Sequence, residues 1–327
     1  MNADIEAKRS DRHPQVYMLE VGTANATQRI DNFLISRLKG VPKSHIYRML
    51  RTGEVRVNRG RAKPEYRLQT GDVVRIPPVR TAESSTPKIS VALIEKRLGK
   101  RILYEDSDLL VINKPFGIAV HGGSGLSFGL IEGLRELREK DHFFELVHRL
   151  DRDTSGCLLI AKRRSALKTL HESFRSEQVQ KSYTTLLKGR LPHKKITVNQ
   201  ALRKHVQKNG EWLAQIHSDG KPSKTAFVCK HKYREATLVE ALPKTGRTHQ
   251  IRVHAAHLGF PVAGDERYGD ADFNQRLRKL GLKRLFLHAS RLEFEHPKGG
   301  RKMCIEAPLD EELSVFIETL AADEHRI

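Results

Sequence analysis

Between Val147 and Lys162 the chain reads VHRLDRDTSGCLLIAK, a charged turn with two carboxylates, Asp151 and Asp153, that passes through Thr154, Ser155 and Gly156 into an apolar run. A carboxylate held at the end of a rigid strand is how a cleft presents a nucleophile, a base or a stabiliser of positive charge. The same residues would serve a structural turn, with Asp and Ser/Thr oxygens accepting local backbone N–H groups. Spacing alone does not separate Asp151 from Asp153. A second concentration lies in GRTHQIRVH, residues 246–254, where Arg247 and Arg252 offer fixed positive charge and His249 and His254 are followed by His257. His254 and His257 fall on one helical face, to which Cys304 or His288 could add ligands, but satisfied structural histidines are the stronger reading. His121-Gly-Gly-Ser-Gly has the look of a phosphate loop, yet no Lys-Ser/Thr pair follows at the right spacing, so a turn is expected. There is no G-x-G-x-x-G loop and no thiol pair, and Cys157, Cys229 and Cys304 are odd in number and far apart. That pattern disfavours a disulfide framework or zinc knuckle and suits a reducing, cytoplasmic setting.

Two groups of elements must position these residues. Residues 1–16 are polar and aperiodic and read as a mobile leader. In residues 17–80, Thr27 is placed to cap a helix with Ile30, Phe33, Leu34 and Leu38 on one face, ended by Gly40 and Pro42. Ser44 is placed to cap a second helix with Ile46, Tyr47 and Leu50 on its apolar side and Gly53 as a left-handed stop. Strands are expected at Glu54–Asn58 and Asp72–Ile76. A linker follows at 81–98, through TAESSTPK. The second domain, 99–325, opens as strand, turn, strand (RILYE, then LLVINKP), with the second run apolar enough for a central strand. Ser127 would cap a helix bearing Leu130, Ile131, Leu134 and Leu137. Beyond Val147, strand-like runs dominate (CLLIAK, YTTLLKG, KTAFVCK, ATLVEALP, RLFLHAS), with helical patterns at 164–177 and 247–258. The fold class is α+β, with an antiparallel or mixed sheet.

The 327 residues are 38% hydrophobic, enough for real cores, and carry 59 Lys and Arg against 39 Asp and Glu, a net charge of +20. Nucleic acid is the partner such a surplus favours. No run of 18 uncharged apolar residues occurs, so a membrane span is not expected. Residues 28–80 alone hold thirteen Lys and Arg and four Asp and Glu. Lys43, Arg48 and Arg51 lie on or beside the second helix, and Arg56, Arg59 and Arg61 line the strand and turn after it. Together they could form one phosphate-facing surface or an ordinary solvated one.

HRLDRDTSG, residues 148–156, resembles the signature of RluA-type pseudouridine synthases, and four more segments resemble that family's blocks in order. They are NKPFGIAVH (113–121), KSY (181–183), GRTHQIRVH with GFPVAGD (246–265) and RLFLHASRLEFEHP (284–297). Gln28 to Ile76 looks like an S4 RNA-binding module. The segments GVPKSHIYRMLRTGEVRVN, IPPVR and VHGGSGLSFGLIEGLR are most similar to the branch that modifies several uridines of bacterial large-subunit ribosomal RNA. The resemblance implies a bent-sheet catalytic domain preceded by the S4 unit, with ribosomal RNA as partner before or during subunit assembly, and it leads us to expect a monomer.

The implied reaction breaks the bond from C1′ to N1 of uracil, turns the base and rejoins it through C5, with no net redox change and so no cofactor. Asp151 corresponds to the family's essential carboxylate, as nucleophile or as stabiliser of a glycal or oxocarbenium-like species. Arg247 is the implied cation beside it, with Arg252 a competitor for the same place. Tyr183 corresponds to the tyrosine that stacks on the target base and could help remove the C5 proton. Arg149 corresponds to the arginine that fills the gap left by a flipped uridine. No roles are assigned to Asn113, Lys114 or His121. Two other readings compete: a non-catalytic S4-type RNA-binding or ribosome-assembly factor, and a glycoside hydrolase, which would need two facing carboxylates.

Overall fold

The computed structural model describes residues 15–22, 25–38, 41–79, 98–122, 129–138, 143–206 and 212–324, and the chain divides into two units, Met1–Pro87 and Lys88–Ile327. Most of the expected leader and linker lies outside the described residues, as does Ser127. Leu98, assigned to the linker, is buried in the second unit's core.

In the first unit the apolar spacing yields helix α1 (Ile30–Arg37), and α2 (Lys43–Thr52) follows. Ile30, Phe33 and Leu34 pack against Ile46, Met49 and Leu50, over a sheet that supplies Val57, Val74 and Ile76. Neither expected cap occupies the cap position. Arg29 precedes α1 and Pro42 precedes α2. Buried Asp31 in the first turn of α1 accepts from Asn32 N (2.7 Å), the Arg29 guanidinium (2.7 Å) and the Tyr47 hydroxyl (3.2 Å), so one carboxylate steadies the helix start and ties α1 to α2. Gly53 does end α2 in the left-handed conformation, at φ 76°.

The sheet is β1 (Tyr17–Glu20), β2 (Arg56–Val57), β3 (Gly60–Arg61) and β4 (Val73–Ile76), in the order β1-β4-β2-β3. Asn58 and Arg59, at φ 48° and 69°, make the tight turn between β2 and β3, the type of turn that matches strand twist and favours Asn. Lys43, Arg48, Arg51, Arg56, Arg59 and Arg61 are all exposed.

The second unit is built on a ten-stranded sheet. Its members are β5 (Ile102–Glu105), β6 (Leu109–Lys114), β7 (Glu145–Leu146), β8 (Ser155–Ala161), β9 (Gln180–Lys188), β10 (Lys195–Asn199), β13 (Lys224–Lys232), β14 (Ala236–Pro243), β15 (Leu287–Glu295) and β16 (Lys302–Glu306). The order is β10-β13-β14-β9-β15-β8-β6-β5, with β16 beside β15 and β7 beside β8. A separate hairpin joins β11 (Leu202–Val206) to β12 (Trp212–Ile216). Every residue of β6 and of β8 is buried. Helices α3 (Leu130–Leu137) and α4 (Arg164–Arg175) contribute Leu130, Ile131, Leu134, Ala166 and Leu170 to the core on these strands. Helix α5 (Gln250–His257) packs Ile251 and Ala255 with Val239 and Ala241 of β14. Helices α6 (Ala271–Lys279) and α7 (Glu311–Glu324) pack Phe273, Leu277, Leu313 and Phe316 around Phe286. Among the described residues no helix is long and apolar enough to cross a membrane.

The two halves of this sheet meet where β15 runs parallel to β8, pairing His288 with Ser155 and Ala289 with Gly156. Gly156 has φ 109°, and a Cβ there would sit 2.2 Å from the Ala289 carbonyl oxygen. Gly156→Ala combines overpacking with backbone strain and is expected to cost roughly 2–4 kcal/mol, measured as a lower denaturation midpoint of the full chain with an unchanged m-value.

Candidate active site

The apolar sequence of β8 buries the strand, and the charged residues before it are expelled into a loop, 147–154, at its N-terminal end. The loop is anchored by side-chain-to-backbone bonds. Lys114, fully buried at the end of β6, gives its ammonium protons to the carbonyls of Pro115 (3.0 Å), Ile118 (2.8 Å) and Arg152 (3.0 Å). Burial pushes this amine down to about 7, opposed first by the charge of Asp153, while three acceptors call for all three protons of the ammonium form. Gly117 N also donates to Arg152 O (3.0 Å), and Thr154 N closes a turn onto Asp151 O (3.1 Å).

At the start of the loop, β7 leaves β8. Val147 N still donates to Leu159 O, but the Leu159 N–H is taken by His148 Nε2 (3.0 Å), so a side chain supplies the acceptor that the departing strand no longer offers. The ring stacks on Phe174 at 5.1 Å. Under the loop, Arg284 donates to Ser155 Oγ (2.6 Å) and pairs with Asp310. Ser155 Oγ lies 2.8 Å from His288 Nδ1, and His288 Nε2 lies 3.0 Å from Ala307 O. Carbonyls accept only, so Nε2 carries the proton and Nδ1 accepts from the serine.

These anchors put Asp151 in a cavity with Arg149, Tyr183, Arg247, His249 and Arg252. Asp153 is not among its lining residues and pairs with Arg152 instead (3.0 Å). Tyr183 reaches the cavity from β9, where it lies opposite Ala241 of β14. Burial pushes its phenol well above the usual range and the Asp151 charge adds to this, so the group stays a neutral O–H.

The facing wall is the turn before α5. Gln250 staples it: its carbonyl accepts from Thr245 Oγ1 (2.6 Å) and Arg247 N (3.0 Å), and its amide donates to Lys224 O (3.0 Å) and Thr225 Oγ1 (2.9 Å). Neither arginine of this block forms an ion pair with Asp151. Arg252 is buried in a two-bond pair with Asp265 (2.6 and 2.7 Å). Arg247 is exposed and its Nε donates to Pro222 O (3.2 Å). Among the described residues Asp151 has no ion pair with a lysine or arginine, and the imidazole of His249 approaches it, Nε2 to Oδ2 at 3.7 Å.

His249 was grouped in sequence with His254 and His257, but φ of 52° at His249 sets it apart, at the cap position before α5. His254 is buried, with Nδ1 2.9 Å from Thr225 Oγ1 and Nε2 3.1 Å from Gln200 O. Among the described residues no cluster of three or more His, Cys, Asp or Glu could hold a metal ion. Sequence reasoning also left Lys114 without a role, although a lysine ending an apolar strand is the kind of buried charge that needs a partner set. The other site residues stand as follows: Arg149 is exposed at the cavity mouth, and six cations lie on the first unit's helix-strand surface, namely Lys43, Arg48, Arg51, Arg56, Arg59 and Arg61. Two further clefts share Gly246 and Arg247 with the cavity: one holds Arg149, Arg175, Lys181 and Lys244, the other Arg203, Lys204 and Lys221.

A single carboxylate facing a neutral phenol, in a mixed-sheet cleft bordered by arginines and lysines, is an arrangement suited to carboxylate chemistry on a polyanionic substrate. The sequence matches the RNA pseudouridylate synthase family model over residues 108–257 and the S4 domain model over 28–74. A Yersinia pestis protein named ribosomal large subunit pseudouridine synthase C is 56% identical over 302 residues, covering 92% of this chain and 94% of its own length. The protein of that name from Escherichia coli K12 is 54% identical over 310 residues, covering 94% and 97%. Two solved human structures are similar in fold. RNA pseudouridylate synthase domain containing 1 has TM-score 0.54 and 28% identity, covering 72% of this chain and 98% of that one. RNA pseudouridylate synthase domain containing 4 has TM-score 0.57 and 24% identity, covering 71% and 96%. The chain belongs to the RNA pseudouridylate synthase family.

The His148 arrangement has a pH signature. Its Nε2 accepts a hydrogen bond, so the ring is neutral, and burial, with a smaller push from Lys181, holds its pKa down at about 3. The unfolded value is near 6.5, so the unfolded chain binds the extra proton between these limits. The contribution is whole above about pH 6.5 and falls by up to about 1.4 kcal/mol per pH unit on acidification. His148→Gln keeps an acceptor for Leu159 N–H and removes the titration. The variant should lose about 1–2 kcal/mol less stability than the parent between pH 7 and pH 5, measured by urea unfolding.

Proposed function

We propose that this chain isomerises specific uridines of large-subunit ribosomal RNA to pseudouridine, with Asp151 as the essential carboxylate. The observation that carries this reading is that Asp151 and Tyr183 line one cavity while the other charges there are already committed or exposed to solvent. The relatives named for the large ribosomal subunit, at 54–56% identity over most of the chain, support the substrate class.

In this reading the uridine leaves its stack and enters the cavity with its ring against Tyr183, because neither C1′ nor C5 can be reached and exchanged inside a helix. Asp151 meets C1′ as the bond to N1 breaks, by covalent attachment or by stabilising the cationic sugar. The base turns and C5 bonds to C1′, and the C5 proton is lost. With its pKa raised, Tyr183 serves as a stacking face and proton donor, and it takes the C5 proton only if its own proton leaves in the same step. Arg149, exposed at the mouth, is placed to enter the gap left in the RNA. Arg247 and the two basic clefts that share it give the phosphates on either side a path, and Arg247 acts there on RNA rather than as the partner of Asp151. The S4 unit adds a second electrostatic foothold through Lys43, Arg48, Arg51, Arg56, Arg59 and Arg61, none of them in an ion pair among the described residues. Isomerisation has no net redox change, so the proposed enzyme needs no cofactor, and it works as a monomer in the cytoplasm.

The test is pseudouridine mapping of ribosomal RNA from cells lacking the gene, from cells complemented with the parent chain, and from cells carrying Asp151→Asn. Specific large-subunit uridines should lose modification in the deletion and regain it with the parent only. An unchanged large-subunit pattern in the deletion would overturn the reading and favour a non-catalytic RNA-binding factor. In binding assays on the same RNA, Arg48→Ala and Arg59→Ala should each lower the slope of log K against log salt by about one.

A further inference from the structure

We infer that His249 is a positioning residue for Asp151, held by Tyr268 in the tautomer whose Nε2–H faces the carboxylate. This rests on the isomerase reading above, and it goes beyond it by assigning the part of the site that aims the carboxylate.

The argument is proton accounting. The Tyr268 hydroxyl oxygen lies 2.9 Å from Ala214 N on β12 and 2.9 Å from His249 Nδ1. The amide of Ala214 can only donate, so the phenol oxygen accepts there, and the one proton it carries goes to its other partner, Nδ1. No further acceptor for this hydroxyl occurs among the described residues. If Nδ1 carried the proton instead, the phenol would accept twice and its own proton would have no acceptor among the described residues. The neutral ring then carries its proton on Nε2, and Nε2 is the atom 3.7 Å from Asp151 Oδ2.

Every neighbour holds the pair in this arrangement. The His249 side chain is only 12% exposed and meets the Tyr268 ring edge-on at 5.5 Å. Tyr268 is clamped by the Arg252 guanidinium 5.0 Å over its face and by Asp265 Oδ1, which accepts Tyr268 N at 3.0 Å. The left-handed backbone at His249 turns the side chain away from the α5 face. The groups facing the imidazole are Asp151, Arg252, Arg267, Asp265 and Tyr268. Burial, Arg252 and Arg267 disfavour the imidazolium while Asp151 and Asp265 favour it, and the balance lies below the ordinary histidine range, so the ring is neutral near pH 7. At 3.7 Å the Nε2–H stands just beyond hydrogen-bonding distance of Oδ2, and closing onto that one oxygen in the substrate complex would leave the other for C1′. A neutral donor would do so without quenching the negative charge that the reaction uses, which an arginine in contact would do in part. It also excludes His249 as the C5 base, because the nitrogen facing the cavity already holds its proton.

The test uses the full-length protein and three near-isosteric variants. His249→Gln offers an amide N–H near the Nε2 position, His249→Asn offers one only near Nδ1, and Tyr268→Phe removes the hydroxyl that sets the tautomer. In single-turnover assays on ribosomal RNA, His249→Asn should lose about 10–100-fold in rate with RNA affinity within about threefold. His249→Gln should stay within about fivefold of the parent. Tyr268→Phe should lose about tenfold in rate, with RNA affinity within about threefold of the parent. Nitrogen-15 spectra of the RNA-free protein supply a readout independent of activity: Nε2–H in the parent, with Nδ1–H populated in Tyr268→Phe. The inference is overturned if His249→Asn keeps the parental rate, if all three variants lose affinity and rate alike, or if the parent spectrum shows Nδ1–H. A parent with the Nε2–H spectrum but no isomerase activity would sink the functional reading and leave the tautomer assignment standing.

Discussion

The parallel contact of β15 with β8 is the point from which the catalytic unit is organised. Only Ser155 and Gly156 of β8 pair with it, yet this short step joins the antiparallel block β10-β13-β14-β9-β15 to the block β8-β6-β5. Strands on the two sides bring different halves of the site: the Asp151 loop enters at β8, and Tyr183 stands on β9, which pairs with β15 from the other side. A contact so short must be exact in depth, which is why a residue without Cβ stands against Ala289. Beneath it, Arg284, Asp310, Ser155 and His288 form a polar network in a place where apolar packing would be expected. Such networks rigidify when nearly every group is satisfied, and here Arg284 Nε is the one buried side-chain nitrogen of the four residues without a partner among the described residues.

Charge around Asp151 is distributed by commitment. Arg252 is locked to Asp265 and Lys114 to three carbonyls, so these cations shape the walls and lend the cleft only their longer-range field. Arg149 and Arg247 are exposed and form no ion pair with a carboxylate among the described residues. A chain with so large a basic surplus could easily bring a guanidinium onto Asp151. The buried partners prevent that, and in the proposed function the exposed arginines are left for phosphates, whose contacts position RNA rather than do chemistry.

Local signals were legible in the sequence and long-range ones were not. The faces of α1 and α2, the unbroken burial of β6 and β8 and the loop between β7 and β8 follow from apolar spacing. The caps did not: Thr27 and Ser44 are good cap residues, but tertiary bonds to Asp31 and the placement of Pro42 decided the starts. β1 escaped because YMLE is largely exposed and does not alternate, and its partner β4 is more than fifty residues away in sequence. The parallel step cannot be read from either strand alone. In the site, family resemblance singled out Asp151, Tyr183, Arg149 and Arg247. It could not say that Arg252 is spoken for by Asp265, nor that His249 stands outside the helix expected over 247–258. That departure hangs on one backbone angle, and spacing arguments assume regular angles throughout.

The replacement of a strand partner by the His148 ring bears on how the loop moves. Loops tied down by their own turns breathe in nanoseconds to microseconds, independently of the sheet beneath them. Here the Leu159 amide stays bonded past the point where β7 departs, and its acceptor belongs to the loop. Opening the loop therefore exposes an amide of a fully buried strand, so the excursion carries the protection of the sheet core rather than that of a surface segment. The carboxylate three residues along thus inherits the slow clock of β8, and rearrangement around an incoming base falls to the RNA and to the exposed arginines.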